Sequence, residues 1–184
     1  EILGIKISLL KKPALLQLID SRLVNPIPKN PLFIVTVNPE MLMKAQMNIT
    51  FKTVLNHASI QTPDGAGIVW AANLLFKQKL DRITGADLMQ DIAGLAAEHN
   101  LRIFLLGGKN GIAEKAAEKL TEKFSNLKKI QTLAGNPTLN LKSFSAETRE
   151  KIRQAEIIFV AYGSPWQEKW ISRNLLFLPN CKII

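Results

Sequence analysis

Asp64 stands in Thr62-Pro63-Asp64-Gly65-Ala66-Gly67, a glycine-rich loop that ends a short apolar run. A carboxylate so placed can act as a general base if it reaches an attacking hydroxyl. A turn aspartate bonding its own backbone has the same local pattern. Glycines recur in Gly107-Gly108-Lys109-Asn110-Gly111, between a strand-like and a helix-like run. There, backbone N–H groups can approach a phosphate at a helix N-terminus, although a plain tight turn has the same composition. The spacing is not G-x-G-x-x-G, and Ile130 and Gln131 stand where a ribose-binding acid would be sought. A nicotinamide dehydrogenase is therefore disfavoured. A third group is Gly163-Ser164-Pro165-Trp166-Gln167-Glu168, directly after Tyr162. Ser164 and Gln167 have capping-box spacing, so Gln167 is open to two readings, a helix cap or a hydrogen bond to a nucleotide. Arg82, in Arg82-Ile83-Thr84-Gly85, precedes a helix and could clamp a diphosphate; a surface arginine is the plainer alternative. Thr36 and Asn38 close a buried strand, where a β-branched residue and a helix N-cap account for them locally.

Metal and thiol chemistry find little support. His57 and His99 are the only histidines, neither in a ligand spacing, and no D-x-D pair occurs to hold a divalent ion on a sugar diphosphate. No metal or cofactor is expected. The one cysteine, Cys181, reads as a buried structural thiol and precludes an internal disulfide, which suits a reducing compartment.

The elements that must position these groups alternate. Apolar runs predict strands over 33–37, 58–61, 102–106, 129–133 and 157–162, with a further strand beginning at 181–184. Helices are predicted from Pro39 to about Met47, then over 67–76, 86–99, 111–124, 145–154 and from 163 through Trp170. In the helix over 111–124, Ile112, Ala116, Leu120 and Phe124 define one inward face. This order implies an α/β fold: a doubly wound, mainly parallel sheet with helices on both faces, Rossmann-like and in one domain over residues 1–184. In such sheets ligands gather at the carboxyl ends of the strands. Thr36, Asp64, Gly107, Gly108 and Gly163 all fall there.

Composition agrees with a globular chain: 47% of its 184 residues are hydrophobic. The net charge of +9 admits nucleic acid, an anionic membrane surface or phosphorylated substrates as partners. The lysines and arginines are scattered, and neither an aromatic-interleaved basic strand nor a recognition helix is evident, so a basic nucleic-acid-binding module is the weaker alternative. No apolar run reaches 18 residues, and residues 1–10 lack the pattern of a signal peptide, which points to the cytoplasm.

Five segments together resemble a known family. They are Thr36-Val37-Asn38-Pro39-Glu40, Pro63-Asp64-Gly65-Ala66-Gly67, Arg82-Ile83-Thr84-Gly85-Ala86-Asp87-Leu88, Phe104-Leu105-Leu106-Gly107-Gly108 and Gly163-Ser164-Pro165-Trp166-Gln167-Glu168-Lys169-Trp170. In order and spacing the chain resembles the bacterial N-acetylmannosaminyltransferases, glycosyltransferase family 26, which serve wall teichoic acid, enterobacterial common antigen and capsule synthesis. One departure is Ala134-Gly135-Asn136-Pro137, where family members often carry an aromatic pair after the glycine. The resemblance implies an inverting transfer of N-acetylmannosamine from a UDP-sugar donor to the 4-hydroxyl of N-acetylglucosamine on undecaprenyl diphosphate, without metal. A relative using another UDP-sugar would look alike. It implies Asp64 as base and Thr36 as its neighbour. Asn38, Arg82, Gly85, Gly107, Gly108, Tyr162, Gly163, Gln167 and Glu168 are implied to bind substrate or nucleotide. Family members continue beyond the strand at 181–184 into a basic appendage, so the resemblance also implies a catalytic core whose peripheral attachment to the inner membrane face resides in that appendage. An apolar edge at 181–184 is expected to favour a homo-oligomer.

Overall fold

The computed structural model describes residues 1–26, 30–77, 79–135, 137–138 and 140–184. Asn136, in the loop that departs from the family pattern, lies outside the described residues. The elements run α1 (Lys12–Val24), β1 (Ile34–Val37), α2 (Pro39–Met47), α3 (Ile49–His57), β2 (Ile60–Pro63), α4 (Ala66–Phe76), α5 (Gly85–Glu98), β3 (Ile103–Gly107), α6 (Ile112–Lys123), β4 (Ile130–Leu133), α7 (Ala146–Gln154), β5 (Ile157–Ala161) and α8 (Trp166–Asn174).

All pairings between these strands are parallel. β1 pairs with β2, Thr36 opposite Thr62 and Val37 opposite Pro63. β3 lies between β4 and β5, with Gly107 opposite Ala161. The two groups are joined by residues 182–184. Ile183 bridges in parallel to Leu32 on one side and Ile157 on the other. Leu32 N–H donates to Lys182 O at 2.8 Å, Ile34 N–H to Ile184 O at 2.8 Å, and Ile158 N–H to Ile183 O at 3.0 Å. The sheet order is therefore β2, β1, segment 182–184, β5, β3, β4.

Side chains alternate across this sheet because successive residues of a strand point to opposite faces. Val35, Val37, Phe104, Leu106 and Ile158 join one core with Leu42 of α2, Phe51 of α3, Ile68 of α4, Ile152 of α7 and Trp170 of α8. Ile60, Ile103, Leu105, Ile157 and Ile183 join the other with Ile19 of α1, Ile92 of α5 and Leu120 of α6. Each such buried side chain contributes about 1.5–3 kcal/mol. The fold is thus the doubly wound α/β arrangement that the alternation implies.

Several local expectations need correction. Segment 181–184 is not an edge: Cys181, Lys182, Ile183 and Ile184 are all buried in mid-sheet, so no exposed apolar edge exists there to drive self-association. Lys182 is accommodated because its ammonium donates to the carbonyls of Leu23 and Asn25 at the end of α1. β2 runs two residues further than the apolar run, to Pro63. In α6 the inward position of the first turn belongs to Ala113, and Ile112 is exposed. Helices α1 and α3 were not anticipated. Pro13 in the first turn with Leu15, Ile19 and Leu23 marks α1, and Asn48 capping Phe51 N–H marks α3.

The central place of segment 182–184 is testable. Ile183→Ala should lower unfolding free energy by about 2–5 kcal/mol, the range of an interior truncation. Urea denaturation measures this. A loss of about 0.5 kcal/mol or less, as for a surface residue, would contradict the mid-sheet position.

Candidate active site

At the carboxyl ends of β1 and β2, parallel pairing sets Thr36 beside Thr62 and brings the Asp64 loop against β1: Asp64 N–H donates to Val37 O at 2.7 Å. The next chain pass is tied to the same place, because Ile83 N–H donates to Pro63 O at 3.0 Å. Arg82 consequently stands beside Asp64, with Nε 3.7 Å from Oδ1. The pair is loose, and Arg82 is the more exposed partner. α5 starts at this point with Thr84 as its cap. The Thr84 hydroxyl accepts from Asp87 N–H and donates to Asp87 Oδ2 at 2.7 Å. Gly85 then packs on Thr36, where an added Cβ would lie 3.2 Å from Thr36 Oγ1. Asn38 is engaged as the cap of α2, its Oδ1 accepting from Met41 N–H at 2.9 Å.

At the ends of β3 and β5 the backbones come close. Gly107 has φ +99°, and a Cβ there would meet the Ala161 carbonyl at 2.9 Å. Only glycine meets both requirements without displacement. Gly108 N–H donates to Ala161 O, and Gly108 O accepts from Gly135 N–H, both at 3.0 Å. These bonds fix the β3–α6 turn against the loops after β5 and β4. α6 and α8 both begin here, α6 with no side-chain cap, α8 with the N–H groups of Trp166 and Gln167 donating to Gly163 O and that of Glu168 to its own carboxyl. The capping box expected from Ser164 and Gln167 is not formed. Pro165 holds the cap position, and Gln167 reaches further back, its Oε1 accepting from Gly163 N–H at 3.0 Å. Gln167 Nε2 donates to Glu168 Oε1 at 2.9 Å.

Glu168, implied to bind substrate or nucleotide, differs from the other site side chains in its burial. It is 2% exposed although it lies in the first turn of α8. Burial raises its carboxyl above the usual range, an effect opposed by its own backbone N–H, by Gln167 and Ser164, and by the charge of Lys44. Ser164 is near enough to favour the ionised form, yet neither Ser164 Oγ nor Glu168 Oε2 completes a hydrogen bond among the described residues. Lys44 joins this corner from α2 by donating to Ser164 O at 2.9 Å while pairing with Glu40 at 2.8 Å. No local signal in the sequence links Lys44 to Ser164. Tyr162 is half-buried, edge-on to Trp170 at 6.4 Å, and burial pushes its phenol up to about 12.

Two adjoining cavities use these residues. One, of 370 Å³, reaches from Thr36 and Gly85 to Gly107, Gly108, Gln167 and Glu168 over an otherwise apolar lining. The second, of 700 Å³, is bounded by Gly108, Lys109, Asn110, Tyr162 and Gly163. Gly108 and Ala161 belong to both. Asp64, Arg82 and Asn38 line neither; Asp64 and Arg82 sit together at the β2 end, next to the strand that carries Thr36. Thr36, Gly85, Gly107, Gly108, Gln167 and Glu168 thus line the first cavity and Gly108, Tyr162 and Gly163 the adjoining second, with the Asp64–Arg82 pair on the neighbouring strand end. Among the described residues, no group of three or more His, Cys, Asp or Glu side chains is disposed to hold a metal ion.

Comparison with known proteins gives an independent view. The family model described as the glycosyl transferase WecG/TagA/CpsF family matches residues 1–184. The chain is 33% identical over 142 residues to the N-acetylglucosaminyldiphosphoundecaprenol N-acetyl-beta-D-mannosaminyltransferase of Staphylococcus aureus strain NCTC 8325 / PS 47. It is 32% identical over 142 residues to the protein of the same name from strain MRSA252. Each alignment covers 77% of this chain and 55% of the relative, so the chain spans about half the length of the curated relatives it matches.

The Glu168 environment predicts a pH dependence. A carboxyl raised in the folded state binds its proton more tightly there than in the unfolded chain. Its ionisation therefore destabilises the fold as pH climbs from the ordinary carboxylate range through the raised value, and the penalty is complete above it. Glu168→Gln removes that ionisation. In thermal melts, the variant's melting temperature should gain on the parent's as pH rises through this window and then level off. A difference that does not vary with pH would contradict the assignment.

Proposed function

The chain belongs to the WecG/TagA/CpsF glycosyltransferase family, and we propose that it transfers N-acetylmannosamine from a UDP donor to the 4-hydroxyl of a lipid-diphosphate-linked N-acetylglucosamine, inverting the anomeric centre. The observation that carries this reading is the glycine cleft at the ends of β3 and β5, beside which α6 starts without a side-chain cap. Free N–H groups at a helix start carry partial positive charge and suit a diphosphate. The relatives' shared name supplies the sugar and the lipid acceptor.

In this reading the donor diphosphate lies along Gly107, Gly108 and Gly163, with Lys109 at the rim. The sugar extends toward Thr36, Gly85 and Glu168. Glu168 Oε2, buried without a partner, accepts a hydrogen bond from a sugar hydroxyl or amide. Asp64 removes the proton from the acceptor hydroxyl as its oxygen bonds to the anomeric carbon. The bond to the diphosphate oxygen breaks on the opposite side, and its electron pair leaves with UDP. Charge growing on that oxygen is met by the start of α6 and by Arg82, which can turn from Asp64 because their contact is loose. No divalent ion takes part. Attachment to the inner membrane face follows from the lipid acceptor; among the described residues no helix is long and apolar enough to cross a membrane.

Two measurements test this. Asp64→Asn should lower transfer from UDP-N-acetylmannosamine by about 10²- to 10⁴-fold, the usual worth of a positioned base, while UDP titration shows nearly unchanged affinity. Full activity in that variant would remove Asp64 from the role. Transfer should also proceed at an unaltered rate in EDTA; loss of activity with rescue by magnesium or manganese would overturn the metal-free reaction.

A further inference from the structure

α4 (Ala66–Phe76) carries no charged residue. Only Ile68 and Ala72 are buried, so the helix is apolar on the side it shows to solvent as well as on the side it packs. Trp70 is 68% exposed, Leu74 64% and Leu75 60%. Trp70 and Leu74 are four residues apart, with Ala66 four before them, and so form one stripe. The one polar side chain, Asn73, is turned to the backbone, its Oδ1 accepting from Leu80 N–H at 2.8 Å. α6 shows the ordinary pattern by contrast, with Glu114, Lys115, Glu118, Lys119 and Glu122 outward. Scattered exposed leucines carry no information, but a contiguous apolar face on a surface helix marks an interaction site.

Three features identify what covers it. The helix begins two residues after Asp64, so its exposed face continues from the candidate site. The segment that follows is net cationic: Lys77, Lys79 and Arg82 are all exposed, against one acid, Asp81. That segment is held back along the helix and against β2 by the Asn73–Leu80 and Pro63–Ile83 bonds. Finally, an indole among leucines beside lysines suits the boundary between lipid headgroups and acyl chains, and eleven residues are too few to span a bilayer. A second copy of the chain is a poorer match, since the carboxylates flanking this face, Asp64 and Asp81, are already met by Arg82 and by Lys12 N–H.

We propose that the exposed face of α4 docks on an anionic bilayer surface, with Trp70, Leu74 and Leu75 entering the headgroup boundary and Lys77 and Lys79 meeting lipid phosphates. Asp64 is thereby brought to the level at which a lipid diphosphate presents its sugar. This last step rests on the lipid-linked acceptor proposed above; the docking itself does not.

The test uses the chain as it is, without donor or acceptor, in co-sedimentation with vesicles of phosphatidylcholine alone or mixed with phosphatidylglycerol. The parent should pellet with the anionic vesicles, and its tryptophan emission should shift to the blue. Trp70→Glu combined with Leu74→Glu should weaken partitioning by about tenfold or more. Lys77→Glu combined with Lys79→Glu should abolish the preference for anionic vesicles. Far-ultraviolet circular dichroism and UDP affinity should match the parent in both variants, which separates lost docking from lost folding. No vesicle binding by the parent, or parent-like binding by both variants, overturns the proposal. So does a concentration-dependent dimer that the Trp70/Leu74 variant loses while vesicle binding stays absent. Because no transfer is measured, failure of the sugar-transfer reading leaves this result interpretable.

Discussion

A parallel sheet needs every interior strand hydrogen-bonded on both sides, and here one short segment meets that need for two separate groups of strands. Residues 182–184 take bonds from Leu32, Ile34 and Ile158 and return them to Leu32 and Glu156. Without that seam, β1–β2 and β5–β3–β4 would each present unpaired N–H and C=O groups to the interior, at a cost of about 1–3 kcal/mol for each group left unsatisfied. The distance from the Asp64–Arg82 pair to the glycine cleft depends on the same seam. One group of strands carries Thr36 and Asp64, and the other carries Gly107, Gly108 and Gly163.

Across the seam, the site divides its tasks by physical type. The β3–β5 side supplies backbone: close-packed glycines and the uncapped start of α6, whose fixed partial charges need no rearrangement. The β1–β2 side supplies side chains, Thr36, Asp64 and Arg82, on a loop and a helix approach. Glu168 and Lys44 stand where the two sides meet, with α2 contributing the ammonium and α8 the carboxylate. A buried carboxyl with an unfilled oxygen costs stability. Such a cost is common where a group is held for a ligand.

Much of the scaffold was legible because its signals are local. The apolar runs of β1, β3 and β5, the Asn38-Pro39 start of α2 and the strand-end glycines each follow from residues near one another. α1 and α3 escaped notice because their buried positions, Leu15, Ile19 and Leu23 or Phe51, Val54 and Leu55, are blurred in short windows by exposed apolar neighbours, Leu18 and Val24 in α1 and Ile49 in α3. What was illegible is what sheet order decides. Strand-like composition at 181–184 does not reveal a central lane. Capping spacing at Ser164 and Gln167 could not disclose that Pro165 occupies the cap and Gln167 reaches Gly163. The Lys44–Ser164 bond, the Arg82–Asp64 pair and the burial of Glu168 likewise arise only when distant segments meet.

The seam also bears on how the chain reaches this structure. Leu32 and Ile183 lie roughly 150 positions apart, so the contact that unites the strands closes one of the longest loops available. Folding rates fall as such distant pairings come to dominate. Each half can gather its helices from neighbours in the sequence, but the central lane must wait until residues 182–184 meet Leu32 and Ile157. A half-assembled species would expose the inner edges of β1 and β5, both apolar and open to a foreign strand. The protein's exposure to aggregation is therefore greatest before the seam closes, and conditions that hasten that closure should raise the yield of native chain more than any improvement to the helices.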